Sequence, residues 1–100
     1  MSLDTIKEQI RQKLAFAGHL KARVTFDFGD DGRIFVDSTQ SPAVISEAED
    51  ESDVTLICSL ATFEGFLNGS QNPNLAFMMG KLKVKGSMGL AMKLNAILED

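Results

Sequence analysis

Several segments of this chain alternate between apolar and polar side chains, and this period of two constrains the fold more than any other feature. In residues 22–28 the even positions are apolar and the odd positions are polar. Residues 33–37, 54–59 and 81–85 have similar spacing, and the loop Gly29–Gly32 has the composition of a hairpin turn. Strands of this kind bury one face, so helices need to cover only one side of their sheet. The sequence therefore predicts the α+β class, with a mainly antiparallel sheet and helices packed on one face.

Other segments have the three- and four-residue spacing of helices. The predicted helices cover residues 3–17, 60–68, 73–79 and 88–98, and one further short strand covers residues 43–46. A glycine follows each of the first three helices, at Gly18, Gly69 and Gly80, where a left-handed backbone ends a helix. The pair Asn72-Pro73 begins the third helix, because proline suits the first helical turn.

Composition limits the size and class of the protein. Its 100 residues predict one domain over positions 1–100, and 44% apolar with 24% charged residues is typical of a folded globule. The net charge of -4 argues against a nucleic-acid-binding protein, which needs a positive field. No apolar run approaches the roughly 20 residues of a membrane span. Charged residues near the N-terminus argue against a secretory signal, so a cytoplasmic protein is predicted.

The chain carries little material for catalysis or metal binding. Cys58 and His19 are the only cysteine and histidine, which excludes an internal disulfide, a four-cysteine zinc site and a histidine-rich metal centre. Cys58 falls on the inward register of its strand and is predicted to be a small buried hydrophobe, and His19 to be a loop residue. The turn Gly86–Gly89 lacks the glycine patterns of nucleotide-binding loops, and Ser87 acting as a helix cap explains it. No catalytic residue, cofactor or metal is predicted, and an enzyme is not expected.

The last predicted helix has more apolar surface than one interface requires. Eight of its eleven residues, 88–98, are apolar, and only Lys93 and Asn95 have polar side chains. Met88, Ala91 and Met92 form one stripe, and Leu90, Leu94, Ile97 and Leu98 form a second. A surface helix of a small domain needs one apolar stripe, since its other side faces water. The second stripe therefore needs a partner: another helix, a second subunit or a ligand.

The preceding helices contribute a further apolar cluster, comprising Phe63, Phe66, Leu67, Phe77, Met78 and Met79. Flexible methionine side chains suit a surface that repacks around variable shapes, although the same residues at helical spacing also fit an ordinary core. An empty pocket of ~300 Å³ would cost about 7 kcal/mol, comparable with the whole stability of a small domain. If the chain binds a lipid, we therefore expect the cavity to be filled on purification, or the last helix to collapse or loosen when it is empty.

Acidic and basic residues are segregated along the chain. Residues 27–53 contain nine acids and one base, whereas residues 81–93 contain four lysines and no acid. Lys81, Lys83 and Lys85 lie on one face of the predicted strand, where they suit phosphate headgroups, a coenzyme A tail or an anionic membrane. The alternative is a solvated strand face whose lysines prevent edge-to-edge pairing.

Many of these features occur at the spacing of one known family. The residues are Asp53-Val54-Thr55, Phe63 to Leu67, Gly69, Asn72-Pro73, Ala76-Phe77 and the run Gly80-Lys81-Leu82-Lys83-Val84-Lys85-Gly86-Ser87-Met88-Gly89-Leu90-Ala91-Met92-Lys93-Leu94. From about Leu3 to Leu98, the chain resembles the sterol carrier protein type-2 family. The most specific stretch runs from Asn72 to Leu94.

The resemblance implies a five-stranded sheet with helices on one face and an apolar tunnel between the layers. Family members bind sterols, fatty acids, fatty acyl-CoA or other lipids and promote their transfer between membranes, and some present lipids beside metabolic enzymes. The sequence stops just after Leu98, without the C-terminal extension and peroxisomal signal of eukaryotic relatives. A short or open tunnel, and a bacterial-type lipid or isoprenoid in place of a sterol, are therefore also expected.

The leading hypothesis is non-enzymatic binding and transfer or presentation of a hydrophobic lipid. The predicted lipid-binding residues are Phe63, Phe66, Phe77, Met79, Met88, Met92, Leu94 and Ile97. Lys81, Lys83 and Lys85 are predicted to contact headgroups or a membrane surface. The alternative hypothesis is a protein-interaction or dimerisation module, or an accessory subunit of a lipid-metabolising enzyme, that buries the apolar C-terminal helix. The predicted partners are thus a lipid or acyl-chain ligand, a transient membrane surface, a second copy or such an enzyme, but no nucleic acid.

Overall fold

The computed structural model describes residues 3–17, 21–40, 43–47 and 51–98 of the chain. They form a five-stranded sheet and four α-helices, which confirms the predicted α+β class. The helices are α1 (Leu3–Ala17), α2 (Leu60–Asn68), α3 (Pro73–Met78) and α4 (Met88–Leu98), and the strands are β1 (Arg23–Asp27), β2 (Arg33–Asp37), β3 (Val44–Ser46), β4 (Val54–Ile57) and β5 (Lys83–Gly86). None of the helices in these ranges combines the length and hydropathy that a bilayer span requires.

The sheet is mixed but mostly antiparallel. Its strand order is β3-β2-β1-β4-β5, and only the central pair, β1 and β4, is parallel. The pairs β1–β2, β2–β3 and β4–β5 are antiparallel. Opposite Val24 lie Val36 of β2 and Val54 of β4, so apolar residues of adjacent strands share one face. This arrangement leaves β3 and β5 as the two edges of the sheet.

Short polar side chains cap three of the helices, and Ser87 is among them, as predicted. Ser59 Oγ accepts the N–H of Thr62 at 3.1 Å at the start of α2. Asn72 Oδ1 accepts the N–H of Asn74 at 2.8 Å at the start of α3, and Ser87 Oγ accepts the N–H of Leu90 at 3.3 Å at the start of α4. These bonds satisfy backbone donors that have no partner inside the helix.

One hydrophobic core joins the inward face of the sheet to the helices. From the helices it takes Ile6 and Ile10 of α1, three α2 side chains at 63, 66 and 67, Ala76 of α3, and Ala91 and Leu94 of α4. Phe63 is at its centre, with its ring centroid 5.1 Å from those of both Phe26 and Phe28. Because all these helical residues share one cluster with the same strand face, the helices cover one side of the sheet, as the alternation predicts.

Some boundaries differ from those predicted. Strand β5 begins at Lys83 rather than at Lys81, because the N–H groups of Lys81 and Leu82 both donate to the Ala76 carbonyl, at 2.8 and 3.2 Å. These bonds hold the two residues in a turn that cannot join the strand ladder. The loop Gly29–Gly32 joins the antiparallel strands β1 and β2 as its composition predicts, and it contains a short 3₁₀ helix. The predicted helix end at Gly18 and the residue His19 lie outside the described residues.

Ionic contacts connect elements at the sheet edge. Lys7 of α1 donates to a carboxylate oxygen of Glu47 at 2.6 Å, directly after β3, and this hydrogen bond raises the pKa of Lys7. On the outer face, Arg23 Nε is 3.8 Å from a carboxylate oxygen of Asp37. Hydrogen bonds from Thr39 lower the pKa of Asp37, with Gln40 and Arg23 contributing less. Glu47 and Asp37, two acids of the segment 27–53, thus make ionic contacts on the β2–β3 side of the sheet.

Candidate functional site

The C-terminal helix α4 buries one side and exposes two methionines on another. Ala91 and Leu94 are each only 1% exposed and belong to the core, whereas Met88 is 47% and Met92 65% exposed. The helix packs mainly on α1, β4 and β5. Met88 and Met92 are four residues apart and therefore lie one above the other on the helix surface. We call these two side chains the α4 methionine pair.

Helix α3 is attached to the core by few side chains. Pro73 and Ala76 are its buried residues, and Leu82 after the following turn is also buried. The exposed apolar residues are Leu75, Phe77, Met78 and Met79, which we call the α3 corner. Met78 is 80% exposed, unusual for a large apolar side chain within a stable element.

The exposed apolar surface is concentrated in this part of the sequence. Among the described residues, seven large apolar side chains are exposed, and all but Val44 belong to the α3 corner or the α4 methionine pair. Single exposed apolar residues are normal, but six of these seven lie within residues 75–92 of the sequence. The surplus apolar area predicted for the C-terminal half is therefore present at the surface.

The predicted lipid-binding residues fall into two groups. Phe63, Phe66 and Leu94 are buried in the core, and the rings of Phe63 and Phe66 pack edge to face at 6.1 Å. Ile97 is half-buried and packs against the same cluster. The other four predicted residues, Phe77, Met79, Met88 and Met92, are exposed. The structure thus places half of the predicted residues against the core and the other half at the surface of α3 and α4.

The three predicted headgroup-contacting lysines are exposed around β5. Lys83 pairs with Ile57 and Lys85 with Thr55 in the β4–β5 register. Val84 between them packs against the core, so Lys83 and Lys85 project from the outer face of the sheet. Lys81 is in the turn that joins α3 to β5. Since β5 is an edge strand, its lysines also hinder pairing with another sheet.

Cys58 has the environment of a core residue. Its side chain is buried directly after β4, and burial raises the pKa of the thiol to about 12, with a smaller contribution from the charge of Asp27. At neutral pH almost none of it is the nucleophilic thiolate. Within the described ranges, no three histidine, cysteine or carboxylate side chains are grouped so that they could hold a metal ion.

Comparison with known protein families decides the classification. The model of the SCP-2 sterol transfer family matches residues 3–99, nearly the whole chain. The chain belongs to this family. The SCP-2 family assignment confirms the resemblance seen in the motifs and agrees with the α+β fold. In the SCP-2 family these domains are lipid-binding carriers.

Curated relatives of this SCP-2 domain are much longer proteins. Hydroxysteroid dehydrogenase-like protein 2 of Bos taurus is 38% identical over 73 residues, which are 71% of this chain and 18% of the bovine protein. Sterol carrier protein 2 of Homo sapiens is 40% identical over 53 residues, which are 53% of this chain and 10% of the human protein. The chain therefore spans less than a fifth of either relative, and SCP-2 domains occur as parts of larger proteins.

Solved structures share the SCP-2 fold. Palmitated SCP2L2 of Aedes aegypti superposes with a TM-score of 0.72 and 22% identity, covering 100% of this chain and 96% of that one. Sterol carrier protein 2 of Yarrowia lipolytica in its apo form superposes with a TM-score of 0.69 and 24% identity, covering 94% of this chain and 77% of that one. UbiJ-SCP2, a ubiquinone synthesis protein, superposes with a TM-score of 0.68 and 15% identity, covering 95% of this chain and 90% of that one.

Sequence reasoning left two exposed residues, Leu75 and Met78, out of the predicted site. They are three residues apart and share a face of α3, opposite the face that buries Pro73 and Ala76. The sequence signal for this exposure is that Pro73 and Ala76 are three residues apart. A short helix that packs through two small side chains on one face must expose its larger side chains on the other.

Proposed function

We propose that this chain is a cytoplasmic, non-enzymatic carrier that binds one hydrophobic lipid in an apolar tunnel and transfers or presents it. The observation that carries the proposal is the α4 methionine pair, which lies exposed on a helix whose other side, through Ala91 and Leu94, is part of the core. Membership of the SCP-2 sterol transfer family supports the same conclusion. The ligand classes that fit are a fatty acid, a fatty acyl-CoA, a sterol-like lipid or an isoprenoid.

In the proposed complex, the lipid chain inserts between α4 and the aromatic side chains of α2. Met88, Met92, Phe77 and Met79 would line the entrance, and Phe63, Phe66, Leu94 and Ile97 the deeper wall. An empty cavity of ligand size would cost about 7 kcal/mol, so close packing of Phe63 and Leu94 is expected in the lipid-free state. Thioether side chains are flexible enough to change position when the ligand enters.

Partition from water supplies the binding free energy. Each methylene group moved into an apolar site contributes about 0.8 kcal/mol, so a long acyl chain needs few polar contacts to bind. Part of this free energy is used to separate α4 from the core. Palmitate is the natural first probe, because a structural neighbour is a palmitated protein. An isoprenoid quinone is the second probe, because UbiJ-SCP2 is a ubiquinone synthesis protein.

The proposal is tested by uptake of a fluorescent fatty acid, since the chain has no Trp or Tyr whose emission could report binding. In the variant Met88→Ser/Met92→Ser we expect uptake at least tenfold weaker, because two apolar contacts are lost. The free energy of unfolding should change by less than about 1 kcal/mol, because both side chains are exposed. The control Val44→Thr alters an exposed apolar residue on β3 and should leave uptake unchanged. Wild-type protein that takes up no lipid contradicts the proposal.

The second candidate is an interaction module, favoured by the occurrence of the domain in relatives of which this chain spans less than a fifth. In that case α4 would bury its methionines against a second copy or a lipid-metabolising enzyme. The variant Met92→Asp is suited to a test by analytical ultracentrifugation, because Met92 is exposed whereas Leu94 is buried. A dimer dissociated by Met92→Asp, in a protein that takes up no lipid, would favour this candidate.

A further inference from the structure

The α3 corner presents three apolar side chains in one direction. Leu75, Met78 and Met79 are at positions i, i+3 and i+4, the spacing that brings helical residues onto one face, and each is more than half exposed. The opposite side of the segment is held by Ala76 and Leu82, which are buried. The corner is therefore a fixed apolar projection on a packed base.

The backbone of the corner is already hydrogen-bonded within the protein. The N–H of Leu75 donates to Asn72 Oδ1 at 3.3 Å, and the N–H of Met79 donates to the Leu75 carbonyl at 2.9 Å. The N–H of Gly80 donates to the Phe77 carbonyl at 3.2 Å. A segment whose backbone donors are satisfied internally can leave water for an apolar phase at much lower cost than an open loop.

The charged residues that follow the corner along the chain, up to residue 98, have one sign. Residues 65–98 contain four lysines and no acidic residue, whereas the rest of the chain contains all fourteen acids and six bases. This segment is therefore positive in a chain of net charge -4. Lys81 is two residues after Met79, and Lys83 and Lys85 follow on the outer face of β5. Three exposed cations thus lie along one edge, beginning at the corner.

We propose that the α3 corner docks this protein on an anionic lipid bilayer. Leu75, Met78 and Met79 enter the boundary between headgroups and acyl chains, while Lys81 and Lys83 contact lipid phosphates, with Lys85 further along the strand. This arrangement of apolar side chains beside a cationic rim is the one that binds negatively charged membrane surfaces. Docking extends the proposed lipid-carrying function, because it brings the carrier to a surface from which a lipid can be taken.

Two other arrangements fit the described residues less well. Helix α1 is amphipathic, but Ile6 and Ile10 are fully buried in the core and are not free to insert. A two-fold dimer through the corner would bring the lysine edges of two copies together, and like charges at an interface oppose association. An anionic surface complements the same lysines.

Vesicle binding tests the proposal, measured by flotation with lipid-free protein. The vesicles contain phosphatidylcholine with about 30 mol% phosphatidylglycerol, or phosphatidylcholine alone. We expect binding to the anionic vesicles only. This binding should decrease as NaCl is raised from about 0.1 M to about 1 M, because the Debye length falls from about 10 Å to about 3 Å. Replacing Lys81, Lys83 and Lys85 together by Gln should weaken binding about a hundredfold, or about fivefold per lysine.

A second variant, Leu75→Ser/Met78→Ser, tests the apolar part of the surface. We expect binding at least tenfold weaker, with unchanged far-UV circular dichroism and unchanged uptake of a fluorescent fatty acid in the absence of vesicles. The control Lys13→Gln/Lys21→Gln removes two positive charges from another part of the chain and should retain vesicle binding. The matched variant Lys81→Gln/Lys83→Gln should bind the anionic vesicles about 25-fold more weakly.

Uptake and docking are separate readouts, so the docking proposal can fail while the carrier proposal stands, and the reverse. No wild-type binding to anionic vesicles, or full binding by the triple lysine variant, overturns the docking proposal. A concentration-dependent dimer that Leu75→Ser/Met78→Ser dissociates, in a protein that does not bind vesicles, overturns it in favour of a second copy.

Discussion

Gly86 lies so close to β4 that a Cβ atom at this position would be 2.5 Å from the carbonyl oxygen of Asp53. The same carbonyl accepts the N–H of Ser87 at 3.0 Å, one residue before α4 begins. Gly86 also has a φ of 96°, which side chains rarely adopt. The start of α4, the helix that carries the methionine pair, is therefore fixed to β4 through a contact that only glycine permits.

Replacing Gly86 by alanine should lower the free energy of unfolding by more than about 2 kcal/mol, because the methyl group adds a clash with backbone atoms to the cost of the left-handed conformation. Gly80→Ala is the matched control. Its φ is 80°, but a Cβ there would meet no atom within 4 Å, so a loss of about 1 kcal/mol is expected. Urea denaturation measures both, and equal losses would contradict the close contact at Gly86.

The aromatic centre of the core gives a second prediction. Phe63 is fully buried between Phe26 and Phe28, and Phe63→Ala should lower the free energy of unfolding by about 3–5 kcal/mol. Phe77→Ala removes the same group from an exposed position and should cost less than about 1 kcal/mol. Chemical denaturation of the two variants compares them directly. A large loss in Phe77→Ala would mean that the α3 corner is packed rather than exposed.

The carboxylate of Asp37 should make the stability of the fold depend on pH in the acid range. Its pKa is below the ordinary value of 3.8, chiefly because the Thr39 hydroxyl donates to its carboxylate. A lowered pKa means that the folded state favours the charged carboxylate. The charged carboxylate therefore stabilises the fold fully above pH 3.8, and this contribution disappears as the pH falls through the lowered pKa of the folded state. The melting temperature of wild type should exceed that of Asp37→Asn at pH 5 to 7, and the difference should shrink below about pH 4. A difference that is constant with pH would rule out this role for Asp37.

The thiol of Cys58 should react slowly with an aromatic disulfide reagent. With a pKa of about 12, it is charged at pH 8 in only about one molecule in ten thousand, against about a quarter for an unperturbed thiol. A rate about two-thousandfold or more below that of the urea-unfolded chain is expected, because the thiolate fraction differs by that factor. Reaction of the folded protein as fast as that of the unfolded chain would place Cys58 at the surface and reopen the question of a reactive cysteine.

Helix α2 and the face of β1 could be predicted because local signals agree with the fold. Helix α2 covers the predicted residues 60–68 and ends at the predicted Gly69, since a left-handed glycine acts within a few residues of the chain. The cap Ser59 was predicted as the last residue of the preceding strand, which ends at Ile57. Alternation places Val24 and Phe26 in the core because a half-buried sheet imposes a period of two.

The interior face of α4 could not be predicted, because both of its stripes are apolar. Leu94 and Ala91 come from different stripes, and both are buried, whereas Met92 is exposed. Only packing against α1, β4 and β5 decides between them. Phe35 is a similar case, since its alternation points it away from the core. It is nevertheless buried, and in the strand register it is flanked by Thr25 and Ser46.

The most direct test of the carrier proposal is native mass spectrometry of delipidated protein incubated with palmitate, combined with a thermal melt of the same sample. One palmitate per chain is the expected stoichiometry. At a free concentration of about 100 times Kd, the ligand should stabilise the folded state by about 2.7 kcal/mol and raise the melting temperature by about 10 °C or more. A protein confirmed to be lipid-free that forms no adduct with palmitate or an isoprenoid quinone, and melts at the same temperature with and without them, contradicts the proposal.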